Sequence, residues 1–331
     1  MTASAIVTDD IGAAIDRLAH ARVLVVGDAM LDRYIFGRVQ RMSPEAPVPV
    51  LTMLSERDEP GGAGNVVHNL CALGAAVAFV SVVGDDAAGA ELTGLIGGQP
   101  GVEPWLLVEG GRLTTVKTRY VAEGSRQGGQ QLLRTDREDI RPVHPKLAER
   151  LMRIARDAMA ATSLVVLSDY RKGVLAGSVP GLLIAAAHAA GRRVVVDMRA
   201  GDFARYARSD VLVAHRADLA GEAEGDAAIA DAAQAVRALH GIGAVLVKRG
   251  EEGLSLVDAE GAVHFRLEPA KLVDLSGAGD AAVATLAAGM AAGLPTRLAA
   301  LLANAAAGVV GARPGTCVVR GAELQAAAVG P

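Results

Sequence analysis

The sequence predicts an α/β fold of the doubly wound type: a mostly parallel sheet, covered on both faces by helices. Three observations carry this. Short β-branched runs recur along the chain, and each is apolar almost throughout, as strands buried on both faces must be. Alanine-rich helical stretches lie between them, with glycines where C-terminal caps belong. Strand and helix alternate, which is the rhythm of βαβ units. With 331 residues, 51% of them hydrophobic and 21% charged, the chain has ample apolar material for one large core.

The β-branched runs are residues 23–26, 77–83, 164–167, 193–196, 211–213 and 244–247. Helices are expected over 145–161, 178–190 and 227–240, with Gly191 and Gly241 as caps. From 277 to 312 two long alanine-rich helices are expected, broken at Gly293-Leu-Pro295. Residues 33–58 and 112–136 break the rhythm. They are rich in charge, Gln and β-branched residues and lack helical periodicity. They are read as strands of a small β lid, inserted into one domain that spans residues 1–331.

Charge and composition exclude several partners. Lys and Arg number 33 against 37 Asp and Glu, a net charge of −4. That leaves no excess cation to neutralise a nucleic-acid backbone or an anionic membrane surface. Aromatics are only 3%, so stacking platforms for single strands are few. Two cysteines, Cys71 and Cys317, build no disulfide framework and fit a cytoplasmic protein. Residues 1–10 end in two aspartates and lack a basic segment, so no signal peptide is expected. The uncharged stretch 281–296 is shorter than the ~20 residues that span a bilayer. Its Gly289-Met-Ala-Ala-Gly293 reads as close helix packing in a water-soluble core.

The chain lacks GxxxxGK[ST], HExxH, CxxC and GxSxG, which removes P-loop, zinc-protease, thiol-redox and serine-hydrolase chemistry. Its sharpest motif is Asp274-Leu-Ser-Gly277-Ala278-Gly279-Asp280, immediately before a helix. Small residues let backbone approach a ligand, and the first N–H groups of a helix form an anion site. Here Gly277, Ala278, Gly279 and Asp280 would hold a phosphoryl group while the Asp280 carboxylate takes a proton from a hydroxyl. A plain helix cap by Ser276 or Asp280 is the alternative. The dinucleotide fingerprint is matched only formally, because the next acidic residue is Glu323, far beyond the ~20 residues that a ribose contact requires.

Gly277-Ala-Gly-Asp280 opening an alanine-rich helix resembles the ribokinase-like, or phosphofructokinase-B-type, carbohydrate kinases. Upstream, Val23-Leu-Val-Val-Gly27-Asp28-Ala-Met-Leu-Asp32, Gly61-Gly-Ala-Gly64-Asn65 and Val247-Lys248-Arg-Gly250-Glu-Glu-Gly253 resemble further segments of that family. The resemblance runs from about Arg22 to about Val319. Four more segments resemble one subgroup, the D-glycero-β-D-manno-heptose-7-phosphate kinases of lipopolysaccharide precursor synthesis. They are Asp28-x-x-x-Asp32-Arg-Tyr34, Arg41-Met-Ser-Pro-Glu45-Ala-Pro-Val-Pro-Val50, Gln130-Gln-Leu-Leu-Arg134-x-Asp136 and Ser168-Asp169-Tyr-Arg-Lys172-Gly173.

The resemblance implies a ribokinase-like fold and an enzyme that uses ATP and Mg²⁺. That enzyme phosphorylates the anomeric hydroxyl of the heptose 7-phosphate to the 1,7-bisphosphate. Asp280 is then the base. Asp28, Asp32, Gly62, Asn65 and Asp169 face the sugar, where carboxylates and amides suit vicinal hydroxyls. Lys117, Arg119, Arg134 and Lys172 supply cations for the sugar phosphate. Turn chemistry, helix capping and solvated edge charges are the plainer readings of these same residues. Lys248, Gly250, Gly253 and Asn304 fall on the nucleotide side, although a helix–helix hydrogen bond would equally explain Asn304. Where the family has Asn-x-x-Glu, this chain has His215-Arg216-Ala217-Asp218. Asp218 can still hold a magnesium water, but His215 cannot copy an amide. The subgroup also commonly has glycine where this chain has Arg171.

A homodimer is expected from the unpaired lid edges, and a separate adenylyltransferase is expected to act next on the product. The rivals are another sugar or nucleoside kinase of this fold, which would share Asp280 without needing Lys172, and a non-catalytic sugar-binding protein.

Overall fold

The computed structural model describes residues 8–124, 129–199, 202–221 and 225–329. Residues 1–7, which belong to the stretch that argues against a signal peptide, and 125–128, inside the expected lid, lie outside the described residues. The chain runs α1 (Thr8–Leu18), β1 (Arg22–Gly27), β2 (Ala29–Met42), β3 (Pro49–Gly62), α2 (Ala63–Ala72), β4 (Ala76–Gly84), α3 (Ala87–Gly97) and β5 (Val102–Glu109). It continues β6 (Val116–Ala122), β7 (Gln130–Arg137), α4 (Pro145–Met159), β8 (Leu164–Asp169), α5 (Val179–Ala189), β9 (Arg193–Met198) and β10 (Val211–His215). The rest is α6 (Arg216–Ala220), α7 (Asp226–His240), β11 (Ala244–Lys248), β12 (Leu254–Asp258), β13 (Gly261–Phe265), α8 (Ala278–Ala291), α9 (Thr296–Gly311) and α10 (Gly321–Val329).

A nine-stranded sheet takes the order β13-β12-β11-β10-β9-β8-β1-β4-β5. Its pairs are parallel from β11 through β5, and β12 alone runs against the rest, antiparallel to both β11 and β13. Strand β1 alternates between two cores. Val23 and Val25 face α2, α8 and α9, while Leu24 and Val26 face α4, α5 and α7. That two-sided burial is why the strand reads as a continuous apolar run. All six sequence runs are strands of this sheet. Sequence missed three strands: β5 and β13 lie at the edges, with Glu103 and Pro104 interrupting β5, and β12, buried between β11 and β13, is a five-residue strand whose apolar run is broken by Ser255.

Chain order reverses between β1 and β8, and ligands bind open α/β sheets at the carboxyl ends of strands beside such a switch. Register brings the chemistry there: Gly27 lies opposite Ser168, Ser168 opposite Asp197, and His215 opposite Lys248.

The lid is a second sheet of order β3-β2-β6-β7. It begins at Ala29 rather than at the expected residue 33, because Ala29, Met30 and Leu31 are buried at its root and carry no charge signal. The C-terminal helices break where expected: Gly293 turns at φ +79° and Pro295 starts α9. Gly289 faces Ala299 so closely that a Cβ there would lie 2.9 Å from the Ala299 Cβ, which is the close helix packing read from the sequence. Among the described residues no helix is long and apolar enough to cross a membrane.

Candidate active site

Asp280 sits in the first turn of α8, 8% exposed. The turn before it needs glycine, since Gly277 adopts φ +78°, the left-handed region that side chains disfavour. The sequence suggested four free N–H groups here, and the structure corrects one. Ala278 N–H donates to Leu275 C=O at 3.1 Å, closing the turn that leads into the helix. Among the described residues those of Gly277, Gly279 and Asp280 have no protein acceptor. They point from a helix N-terminus, where an anion is favoured.

The carboxylate is held from two sides. Asn65 Nδ2 donates to Asp280 Oδ2 at 2.7 Å, and the Tyr170 hydroxyl donates to Oδ1. The Asn65 amide is itself oriented: Asn69 Nδ2 donates to its Oδ1 at 3.1 Å, and Val319 N–H donates to Asn69 Oδ1 at 3.4 Å. Burial first, then the nearby Asp197 carboxylate, raises the Asp280 pKa above the usual carboxylate range. The donors from Tyr170 and Asn65 oppose that rise. A base poised this way takes a proton more readily than a solvated aspartate.

Two clefts meet at this residue. The acceptor-side cleft, about 360 Å³, is lined by Asp32, Gly62 and Asn65, by Lys117, Arg119, Arg134 and Lys172, and by Gly277 and Asp280. The structure therefore gathers most of the sugar-side candidates. The donor-side cleft, about 150 Å³, is lined by His215, Lys248, Gly250, Gly253 and the Gly277–Asp280 turn. Among the described residues only Arg199, Gly277 and Asp280 line both.

Asp28 and Asp169 do not line the acceptor cleft. Asp28 is 1% exposed, and its carboxylate accepts the N–H groups of Tyr170, Lys172 and Val174 at 2.9, 3.0 and 3.0 Å. It builds the turn after β8 that presents Tyr170 and Lys172. Burial and the Asp169 charge push its pKa up to about 6. Asp169 accepts from Arg171 N–H at 2.7 Å and Tyr206 OH at 2.5 Å, and faces a neighbouring groove. These bonds hold Arg171 at φ +59°, a left-handed position that explains why glycine suits the subgroup there.

The cations of the acceptor-side cleft are already paired. Lys117 and Arg134 share Asp136, each at 2.9 Å, Arg119 holds Asp32 at 2.6 Å, and Lys172 holds Glu138 at 2.6 Å. On the donor side Lys248 pairs with Asp197 at 2.5 Å, and both are almost fully buried. Burial, with Lys248 and Arg199 nearby, pushes the His215 pKa down to about 4, so the ring is neutral at pH 7. Arg216, Ala217 and Asp218 lie on α6 outside the donor cleft, and Arg216 pairs instead with Glu252 at 2.8 Å. Asp218 acts on His215 through its charge. Asn304 lines an adjoining groove rather than the donor cleft, and its Nδ2 donates to Arg266 C=O at 3.0 Å. Its buried Oδ1 has no partner among the described residues.

Sequence reasoning missed Tyr170, Asp197 and Arg199. Asp197 and Arg199 are lone polar residues in or just past a strand end, and Tyr170 lies within the quoted segment 168–173, where no role was read for it. Only the parallel register, which lines up the carboxyl ends of β8, β9 and β11, could have drawn them together.

The fold and this site define a carbohydrate kinase, a phosphotransferase with an alcohol acceptor. Residues 20–320 match the pfkB family carbohydrate kinase profile, and the chain belongs to that family. It is 57% identical over 320 residues to "Bifunctional protein HldE" of Acidiphilium cryptum, covering 95% of this chain and 65% of that protein. The protein of the same name from Rhodospirillum rubrum is 46% identical, over 94% of this chain and 62% of its own length. The chain thus spans less than two thirds of these curated relatives. Among solved structures, phosphofructokinase-2 from Escherichia coli superposes with a TM-score of 0.74 at 19% identity, covering 94% of this chain and 98% of that one. Arabidopsis thaliana ribokinase gives 0.69 at 20% identity, covering 92% and 99%. At such identities the likeness establishes the ribokinase-like fold alone.

Proposed function

We propose that the protein transfers the γ-phosphoryl group of ATP to the anomeric hydroxyl of D-glycero-β-D-manno-heptose 7-phosphate, giving the 1,7-bisphosphate and ADP. The observation that carries this reading is the cationic acceptor cleft, lined by Lys117, Arg119, Arg134 and Lys172, that meets the donor cleft at Asp280. A dianion buried at the far end of a sugar needs such partners, because desolvating it unpaired is costly. A sugar without a phosphate needs none of them.

In this reading Asn65 fixes the Asp280 carboxylate, and the sugar hydroxyl takes the place of Tyr170 OH on Oδ1. Asp280 accepts the hydroxyl proton as the new O–P bond forms and the bond to the leaving ADP oxygen breaks. The free N–H groups of the Gly277–Asp280 turn hold the transferring group. Lys248, His215, Gly250 and Gly253 form the donor wall, with the Asn304 groove beside it.

Magnesium fits these residues as a phosphate-bound, largely hydrated ion. Among the described residues no three His, Cys, Asp or Glu side chains converge on a metal position, and Asp218 stands close enough to His215 to act by charge as an outer partner. Its chemistry would be to neutralise phosphate charge.

A homodimer closing on the lid's exposed Met53, Leu54 and Leu133, a cytoplasmic location and onward nucleotidyl transfer to the product belong to the same proposal. The relatives' printed name, bifunctional, supports a second activity acting beside the first. The test is product identity. ATP and the heptose 7-phosphate should give a sugar carrying a second phosphate on the anomeric carbon, seen by phosphorus NMR. Phosphorylation at another carbon, or of other sugars only, would replace the substrate assignment.

A further inference from the structure

We infer that Arg199 is a catalytic residue: its guanidinium contacts the phosphoryl group in flight and neutralises the charge that develops on it. The inference deepens the phosphotransferase reading above and rests on it. Three observations support it. Among the described residues Arg199 is the one cation that lines both clefts, so it stands where donor and acceptor meet. Every other cation of the two clefts already has a carboxylate partner. The lid cations hold Asp32 and Asp136, Lys172 holds Glu138, Lys248 holds Asp197, and Arg249 holds Asp226. Among the described residues Arg199 has no carboxylate within 4.0 Å.

The third observation is where it rests instead. Its guanidinium carbon lies 5.0 Å from the centre of the Tyr170 ring, a cation–π contact, and the hydroxyl of that ring donates to Asp280. One side chain thus connects the unpaired cation to the base. A sugar hydroxyl that displaces Tyr170 OH from Asp280 would disturb the surface on which Arg199 lies, so acceptor binding can release the guanidinium towards the phosphoryl group. No bond to Arg199 forms or breaks, and it stays protonated throughout. The sugar proton goes to Asp280 and the leaving electron pair to ADP. Charge is the requirement, and a planar guanidinium also matches two phosphoryl oxygens at once.

The experiment compares Arg199→Gln, Arg199→Ala and Arg199→Lys in the full chain, with saturating ATP and heptose 7-phosphate. Loss of a donor aimed at transition-state charge costs about 10²–10³ in kcat. We expect that fall for Gln and Ala, with the KM of both substrates within about threefold of wild type. Lys, which keeps the charge, should recover at least about a tenth of the rate. Millimolar guanidinium should raise the rate of the Ala variant and leave Asp280→Asn unchanged. Arg199→Gln turning over within about threefold of wild type would overturn the inference. So would a loss confined to KM, or Lys as slow as Gln. Should Arg199→Ala unfold early, the Gln and Lys pair decides, since both retain a long polar side chain. If wild type ignores the heptose but phosphorylates another sugar, the substrate reading falls, and the same variants are scored on that sugar.

Discussion

The two walls that meet at Asp280 are built differently. The acceptor wall comes largely from the lid sheet, and its cations are side chains held by neighbouring carboxylates, with Asp136 shared between Lys117 and Arg134. The donor wall comes from strand ends and a helix turn, and its anion-binding groups are backbone N–H beside one buried pair, Lys248 and Asp197. Backbone donors bind phosphate whatever the sugar attached. Side-chain cations that can exchange a carboxylate for a phosphate discriminate, because an unphosphorylated sugar gives them no reason to leave their partners. On the proposed function, selectivity belongs to the acceptor wall and catalysis to the junction.

The sharpest way to break this division is at the junction. Asp280→Asn should lower kcat by about 10²–10⁴ while both substrates still bind, the usual worth of a general base. Steady-state kinetics and calorimetric titration check it, and near-normal turnover would remove Asp280 from the role. A smaller, one-sided effect is expected on the acceptor wall, at the turn after β8. Lys172→Ala removes a charge-assisted hydrogen bond worth on the order of 1.5–3 kcal/mol, so the KM for heptose 7-phosphate should rise at least about tenfold. The ATP KM should stay nearly constant. An equal rise in both would show that the walls are not separate.

The smallest effect concerns the donor wall's stability. His215 titrates near 4 when folded and near its ordinary 6.5 when unfolded. Between these values the unfolded chain binds the additional proton, so stability falls as pH drops from about 6.5 towards 4. Asp28 acts oppositely: its folded value is about 6 against 3.8 unfolded, so its contribution weakens as pH rises through that window. His215→Asn abolishes only the first contribution. Urea unfolding at pH 6.5 and 4.5 should show a smaller acid loss for the variant than for wild type. Identical losses would mean that His215 is not buried neutral.

The same contrast explains what sequence could show. The six interior parallel strands were legible because burial on both faces leaves only apolar residues, and the edge strands β5 and β13 were not because they meet water. The lid cations were legible from motifs and gather as expected in one cleft. Asp28 was placed beside the sugar from its position after β1. That reading missed its three backbone N–H partners, which come from a turn about 140 residues later. Arg199 carried no motif and Tyr170 lay inside the segment 168–173 without a role assigned to it, and only register and side-chain packing bring them to Asp280.

The central claim, that the lid reads the acceptor's phosphate while the junction does the chemistry, is tested most directly by one ratio. It is kcat/KM for the heptose 7-phosphate divided by kcat/KM for the same heptose without its phosphate, measured on wild type at saturating ATP. The account predicts a ratio of at least about ten, from one charge-assisted contact alone, and more if several cations exchange partners. A ratio near one would contradict it and leave a carbohydrate kinase whose lid cations serve the fold rather than the substrate.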